Sequence, residues 1–419
     1  MGASSCARRS FVYGRAMMKS VNDLGHRKTR VGFIASHPIQ YFAPLYQAIN
    51  RTDELEAIPI YLTDFSLRNT IDPLFGTKVV WDIDMLAGTS PLFVTGYEKR
   101  QPRGYSIRDS APATWSIVRE AKLDALVIHG HSVLANHFAT LAARSQRIPV
   151  FYQCDASIRN AHGGWLRRAI LRGYYATIDG FLASSSTNRD YFRALGVAGR
   201  KIHHFPLSVD NERFLAASAL SDCERRVVRQ RLGLRAGVPT LVSASKLVAQ
   251  KRIGDLVETA SRLREQGLDF DLLLIGEGNE RSALERAAAK AHGAPFIFSG
   301  FRNQTEMPAL FGLSDIFVMT ANNENFGLVI NEAMCAGLPV VASTGIGAVR
   351  DLVRDGENGR IFEAGDQGAL AEVLRSLITD PDLCQRMGRA SRKIIAGWGY
   401  KQDIEGLRAA LVAMGKLPR

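Results

Sequence analysis

Short apolar runs of three to five residues, separated by helical patterns, recur along the whole chain and limit its fold more than any other feature. They fall at 31–35, 58–62, 125–128, 150–152, 181–183 and 202–205, and again at 240–243, 271–275, 316–320 and 340–342. Runs this short and this apolar read as buried strands, and strands that alternate with helices build a parallel α/β sheet. At 419 residues the chain can hold two such domains with full cores. A first domain is expected over 30–207 and a second over 208–396, with a hinge near 206–214. A closing segment, 397–419, follows, and residues 1–29 are expected to form a basic tail without order.

Two carboxylates, Glu324 and Glu332, bracket one strand-to-helix junction, in SDIFVMTANNENFGLVINEAMCAGLPVVAS. A strand over 316–320 is expected to run through a polar loop into a helix over 327–336. That helix is apolar nearly all round, and Glu332 is its only charge. A buried carboxylate costs several kcal/mol or more unless something pairs with it, so either a protein cation or a ligand must satisfy Glu332. Ligands of open α/β sheets bind beyond the carboxyl ends of the strands, against helix N-termini. A carboxylate there can accept two hydrogen bonds from a ribose diol. An internal ion pair is the competing reading.

In VPTLVSASKLVAQKRIGDLVETASRL, Lys246, Lys251 and Arg252 gather in a loop and at a helix start. Cations are the wrong sign for that end of the helix dipole, and the mismatch disappears if an anion such as a diphosphate lies among them. A solvated basic loop is the plainer alternative. DFDLLLIGEGNERSALERAAAKA repeats strand, turn and helix, with Gly276-Glu277-Gly278 as the turn and a helix expected over 280–291. Two glycines do not complete a dinucleotide fingerprint.

These motifs resemble those of a known family. The two glutamates with seven residues between them, in ENFGLVINEAMCAGLPVVAS, are similar to the hallmark of the retaining glycosyltransferases of family four. SASKLVAQKR resembles that family's diphosphate loop, and LLLIGEGNER its Gly-x-Gly turn. SHPIQYFAPLY, DPLFGTKVVWDIDMLAG, VIHGHSVLANHF and FPLSVDNERF resemble a bacterial branch that builds surface polysaccharides. The resemblance implies a GT-B fold, in which two Rossmann-like domains face each other across a cleft. It further implies a nucleotide-diphosphate sugar as donor, retention at the anomeric carbon, and a glycan or lipid-linked acceptor. By position, Glu332 matches the ribose carboxylate and Glu324 the residue beside the transferred sugar. Lys246 and Lys251 match the cations on the diphosphate, Gly276 the Gly-x-Gly turn, and His131 a histidine facing the donor sugar. Asn325, Phe326 and Gly327 lie where backbone amides meet sugar hydroxyls. One departure stands out: the glycine-rich loop that many members carry after the first strand is here Ser36-His37-Pro38-Ile39-Gln40-Tyr41. Without a glycine it is read as an acceptor-side element.

The chemistry of the residues agrees with this reading. Breaking a glycosidic phosphate bond requires stabilisation of the leaving diphosphate and of a cationic sugar. Lysines can serve the first need, so neither a metal nor another cofactor is expected. His129 and His131 have no cysteine or acid at ligand spacing, and Asp82-Ile83-Asp84 lies in a tryptophan-led segment read as acceptor-side. Five scattered cysteines suggest a reducing cytoplasm with no disulfide frame. Arg8-Arg9-Ser10-Phe11-Val12 resembles a twin-arginine export signal, but the polar stretch that follows lacks the apolar segment export needs. Met17 or Met18 is an alternative start.

The net charge of +12 is partly local, since residues 1–30 hold seven basic residues against one acid. WLRRAILRGYYATI is a second basic site. There Trp165, Leu166, Ile170 and Tyr174 against Arg167, Arg168 and Arg172 would make either a core-facing helix with a basic outer face or a helix on an anionic membrane. The core-facing form is favoured. No nucleic-acid motif accompanies the charge. The expectation is a cytoplasmic enzyme, peripheral on the inner membrane face. An epimerase or phosphorylase of the same fold, or a catalytically silent nucleotide-sugar-binding subunit, are the alternatives.

Overall fold

The computed structural model describes residues 27–67, 71–72, 77–94, 111–131, 133–157, 164–291, 293 and 296–418. Most of the expected tail, with the arginine pair, Met17, Met18 and Cys6, therefore lies outside the described residues. Arg27 to Thr29 do not belong to a tail. Thr29 opens the first strand, Arg27 pairs with Asp124 at 2.9 Å, and Lys28 donates to the carbonyl of Asn50 at 2.9 Å.

The strands, in chain order, are β1 (Thr29–Ala35), β2 (Leu55–Tyr61), β3 (Ile71–Asp72), β4 (Thr77–Lys78), β5 (Leu92–Phe93), β6 (Ala125–His129), β7 (Val150–Cys154), β8 (Gly180–Ala183), β9 (Ile202–His204), β10 (Thr240–Ala244), β11 (Asp271–Ile275), β12 (Ile297–Gly300), β13 (Ile316–Met319), β14 (Val340–Ser343) and β15 (Gly359–Phe362). Among the described residues they form a seven-stranded parallel sheet ordered β5-β2-β1-β6-β7-β8-β9 and a six-stranded one ordered β12-β11-β10-β13-β14-β15. A two-stranded antiparallel pair, β3-β4, stands apart. Each large sheet reverses its strand order once, between β1 and β6 and between β10 and β13. Crevices open at such reversals, beyond the carboxyl ends of the flanking strands.

The apolar runs are covered on both faces. One core packs one face of the first sheet with Tyr152, Phe181 and Phe192, and another packs the second sheet with Leu256, Phe270 and Leu374. A third core is continuous between the lobes. It includes Val31 and Phe33 of β1, Phe205 and Leu207 after β9, Phe317 of β13, and Trp398, Leu407 and Leu411 near the carboxyl end. The final helix, Tyr400–Ala413, packs on β8, β9 and the helix Phe42–Asn50 of the first lobe. At the hinge the Trp398 indole donates to the Leu207 carbonyl at 3.0 Å, and buried Ser208 donates to Asp403.

Two polar clasps also bridge the lobes. Asn303 donates to the Val80 carbonyl at 2.6 Å, Asp82 accepts from the Thr305 amide at 3.1 Å and from its hydroxyl, and Trp81 meets Phe301 edge-on. Asp82, read from sequence as acceptor-side, is thus occupied by the opposite lobe. On the second clasp Arg350 pairs with Asp190 at 2.5 Å and Asp351 accepts from the Ser186 amide at 2.9 Å.

Candidate active site

The reversal in the second sheet builds a charged wall. The loop after β10 ends in a single 3-10 turn, Ala249–Lys251, and the loop after β13 runs past Glu324 to the short helix Val329–Cys335. The Thr320 hydroxyl donates to the carbonyls of Lys251 and Arg252 at 2.8 and 2.9 Å, which ties the two loops together. Residues 324–326 are held in turn by 345–348: Glu324 donates its amide to the Gly345 carbonyl at 3.0 Å, and Ala348 to that of Phe326 at 2.8 Å. Gly327 lies outside the helix expected over 327–336. Its φ is +98°, and a Cβ there would meet Ile346 Cγ2 at 2.8 Å, so the chain needs glycine to pass.

Lys251 and Glu324 form an ion pair in a largely buried setting. Sequence had given them separate partners. Burial and then Lys246 push the Lys251 ammonium down to about 8, a direction the adjacent carboxylate opposes. Arg252, grouped from sequence with the phosphate cations, is instead paired with Asp255 one turn along its own helix at 2.6 Å. Gly276 does not line the cleft. A Cβ there would lie 1.9 Å from the Ser245 carbonyl oxygen, so the glycine allows the turn after β11 to press against the Ser245-Lys246 loop.

Glu332 is 1% exposed. Burial pushes its carboxyl up to about 7, while the Tyr41 hydroxyl, Arg213 and the Gln304 side chain act to lower it. Of the two sequence alternatives, the internal ion pair does not hold. No direct ion pair forms, and Oε1 has no hydrogen-bond partner. Arg213 is spent on Gln304, donating to its backbone carbonyl at 2.6 Å and its Oε1 at 3.0 Å.

The first lobe supplies the facing wall. A cavity of about 330 Å³ lies between the lobes, lined by Tyr41 and Asp155 on one side and by Ala244, Ser245, Lys251, Met319 and residues 324–329 on the other, with Leu207 at the hinge. Asp155 directly follows β7. Its Oδ2 is 3.7 Å from His129 Nε2, and its Oδ1 is buried without a partner. Sequence spacing gave His129 no acid. The parallel pairing of His129 with Gln153, two residues short of Asp155, provides one. His131 does not line this cavity. Its Nδ1 is 2.7 Å from the Tyr152 hydroxyl, its ring packs against Tyr174 and Tyr175, and burial, Arg167 and His137 lower its pKa.

The arrangement opposes a lysine and a carboxylate to a second carboxylate across a cleft, and the helix that follows carries a buried glutamate with an unused oxygen. It can hold a polyol bearing a diphosphate. Residues 88–213 match the family model described as Glycosyltransferase Family 4, and residues 224–394 match that described as Glycosyl transferases group 1. The chain is 28% identical over 277 residues to glycogen synthase of Mycobacterium tuberculosis, covering 64% of this chain and just under two thirds, 63%, of that protein. It is 28% identical over 275 residues to a GDP-mannose-dependent alpha-(1-6)-phosphatidylinositol monomannoside mannosyltransferase of Mycolicibacterium smegmatis, covering 62% of this chain and 70% of that one. The crystal structure of Anabaena Alr3699/HepE in complex with UDP and glucose superposes with a TM-score of 0.70 at 19% identity, over 92% of this chain and all of that one. The two family models together take in most of both lobes, and with the superposition they support a GT-B glycosyltransferase of the family-four type.

Proposed function

We propose that the chain moves a sugar from a nucleotide-diphosphate sugar, with retention at the anomeric carbon, to a glycan or lipid-linked acceptor in bacterial surface polysaccharide synthesis. One observation carries the reading: Lys251 and Glu324 face a cleft between two strand-order reversals, whose wall continues through Leu328 and Val329 into the short helix that carries the buried, half-satisfied Glu332. In this proposal Glu332 receives the ribose diol. Lys246 and Lys251 take the diphosphate and hold the negative charge that grows as the glycosidic phosphate bond breaks. Glu324, released from Lys251, faces the sugar as positive charge develops on it. Backbone amides at Asn325, Phe326 and Gly327 orient the sugar hydroxyls. Gly276 acts at one remove, by allowing the diphosphate loop its position. His131 was nominated by its motif for the donor sugar. Bonded to Tyr152, it would act there through the wall, whereas Asp155, with His129 behind it, faces the cleft directly.

The membrane side of the proposal rests on the helix Trp165–Ala176. Only Leu171 and Tyr175 are buried, while Trp165, Leu166 and Ile170 are 80%, 58% and 64% exposed. The core-facing orientation favoured from sequence does not hold. An exposed apolar stripe beside Arg167, Arg168 and Arg172 suits an anionic lipid surface, and the mannosyltransferase relative is named for a phosphatidylinositol monomannoside, a lipid of that chemistry. No described helix is long and apolar enough to cross a membrane. The site would work at the inner face of the cytoplasmic membrane.

The test is a thermal-shift panel of UDP, GDP, ADP and their sugars, followed by turnover of whichever sugar stabilises. A matched ligand at 100 times its dissociation constant adds about 2.7 kcal/mol. Stabilisation with release of the nucleoside diphosphate supports a transferase. Stabilisation without release marks a silent binding subunit, and no stabilisation by any member refutes the donor site.

A further inference from the structure

Glu332 does not line the cleft as the structure stands, although its neighbours Leu328 and Val329 do. A ribose can reach it only if a group covering it moves. Two side chains direct hydrogen-bonding groups toward the carboxyl, Tyr41 and Gln304. They differ in how they are held. Gln304 is buried and its side-chain Oε1 accepts from the Arg213 guanidinium, which also holds its backbone carbonyl, so moving the side chain away would break a buried charge-assisted hydrogen bond. Tyr41 stands on the loop between β1 and the helix Phe42–Asn50, belongs to the opposite lobe, and lines the cavity. It is held by packing of its ring against the shared core and by its hydroxyl.

We propose that Tyr41 is a specificity-determining residue of the donor site, whose hydroxyl covers the face of Glu332 that the ribose diol takes, so that donor entry exchanges tyrosine for ribose. This rests on the reading of Glu332 as the ribose carboxylate. The chemistry of the exchange is matched, because a phenol and a sugar hydroxyl are both neutral O–H donors to a carboxylate. Burial and the nearby Glu332 push the Tyr41 phenol well above its ordinary value, which keeps it a donor at neutral pH. The remaining Glu332 oxygen, buried and unpartnered, gives the diol an advantage: two hydroxyls can satisfy both oxygens where one phenol leaves an acceptor unused. A nucleotide lacking the ribose hydroxyls has nothing to offer in exchange and leaves Tyr41 in place. The exchange also couples the lobes, since the residue displaced belongs to one and the carboxylate to the other.

Isothermal titration of the full chain tests this. The probe is whichever of UDP, GDP and ADP binds the wild-type chain most tightly, compared with its 2′,3′-dideoxy counterpart. Tyr41→Phe keeps the ring and removes the competing hydroxyl. It should bind the ribonucleotide about three- to tenfold more tightly, the range of one hydrogen bond lost from the competitor, with dideoxy binding unchanged. In a Glu332→Gln background the gain should shrink, which separates competition at the carboxylate from a general change in the loop. Unchanged or weaker ribonucleotide binding by Tyr41→Phe overturns the proposal, as does an equal gain for both nucleotides. Tyr41→Leu, which also lacks the hydroxyl, serves if the first variant does not fold, with the same expectations. A wild-type chain that binds none of the three nucleotides would sink the ribose reading itself and this proposal with it, a result distinct from an unresponsive Tyr41.

Discussion

Replacing Glu332 by glutamine should make the unliganded protein more stable at alkaline pH and a worse nucleotide binder there. The carboxyl is 1% exposed and is pushed by burial from 4.5 to about 7. Below the unfolded value, both states hold the proton and pH has no effect through this group. Between 4.5 and 7 the unfolded chain has released it while the folded chain keeps it, so stability falls as pH rises. Above 7 the folded state carries the full penalty of a buried charge, about 3 kcal/mol from the shift of roughly 2.5 units at 1.36 kcal/mol each. Glutamine is close in shape to the protonated acid and does not titrate. The difference in melting temperature between Glu332→Gln and wild type should therefore be small near pH 5 and open by roughly 3–4 °C by pH 8.5, if the chain unfolds as one unit with the usual entropy per residue. Differential scanning calorimetry across that range, without ligand, is the assay. Titration with the bound nucleoside diphosphate should show the opposite preference, with affinity lowered about tenfold or more, which corresponds to at least about 1.4 kcal/mol. A gap in melting temperature that stays flat with pH would refute the picture of an ionisable group forced into an apolar helix, and undiminished nucleotide affinity would refute its assignment to ribose.

Glu324→Gln should leave nucleoside diphosphate affinity nearly unchanged and lower kcat by about a hundredfold, as for other electrostatic stabilisers, when donor turnover is followed by nucleotide release; a loss confined to KM would contradict its place beside the reacting sugar. Lys251→Ala should weaken nucleoside diphosphate binding by roughly 1.5–3 kcal/mol while sparing the nucleoside, and transfer should persist in excess EDTA. Activity abolished by the chelator and restored by magnesium or manganese would show that lysines do not suffice at the diphosphate. Changing Arg167, Arg168 and Arg172 together to Gln, in a chain lacking residues 1–26, should reduce co-sedimentation with phosphatidylserine vesicles. The parent's binding should also weaken with salt, because screening acts over about 8 Å at physiological ionic strength; equal binding by both proteins would remove the helix Trp165–Ala176 from the membrane.

The sheets were readable because their strands are short apolar runs bounded by polar turns, a signal that needs no knowledge of neighbours. The glutamate pair was readable because it lies in one local strand-to-helix unit. What escaped depends on pairing between distant segments. Tyr41, Arg213, Gln304 and Glu332 come from four separate stretches; the last three meet within the second lobe, and Tyr41 reaches them from the first. Asp155 reaches the cleft because β7 lies beside β6. A local clue to it existed, an acid immediately after a buried strand, where crevice residues stand. The Arg252–Asp255 pair was also within reach, since a spacing of three at a helix start invites an ion pair. For the helix Trp165–Ala176 the pattern failed for a different reason. Its apolar residues divide into a narrow buried stripe, Leu171 and Tyr175, and a broader exposed one, and amphipathicity alone does not say which stripe faces protein.

The core shared by the two sheets limits how the protein can be divided. Phe205 and Leu207, Trp398 and the last helix belong at once to the hinge and to the apolar interior. A chain cut at the hinge would leave the first half without the helix that closes β8 and β9, and the second half with an apolar carboxyl end and nothing to bury it. Neither half should then be obtainable as a well-behaved fragment. In the intact molecule the same continuity means that heat or denaturant should remove both halves in one transition, although two sheets stand apart in the fold. The cleft is thus a fissure within a single cooperative body, and only its rim, where the polar clasps lie, is free to part without exposing that interior.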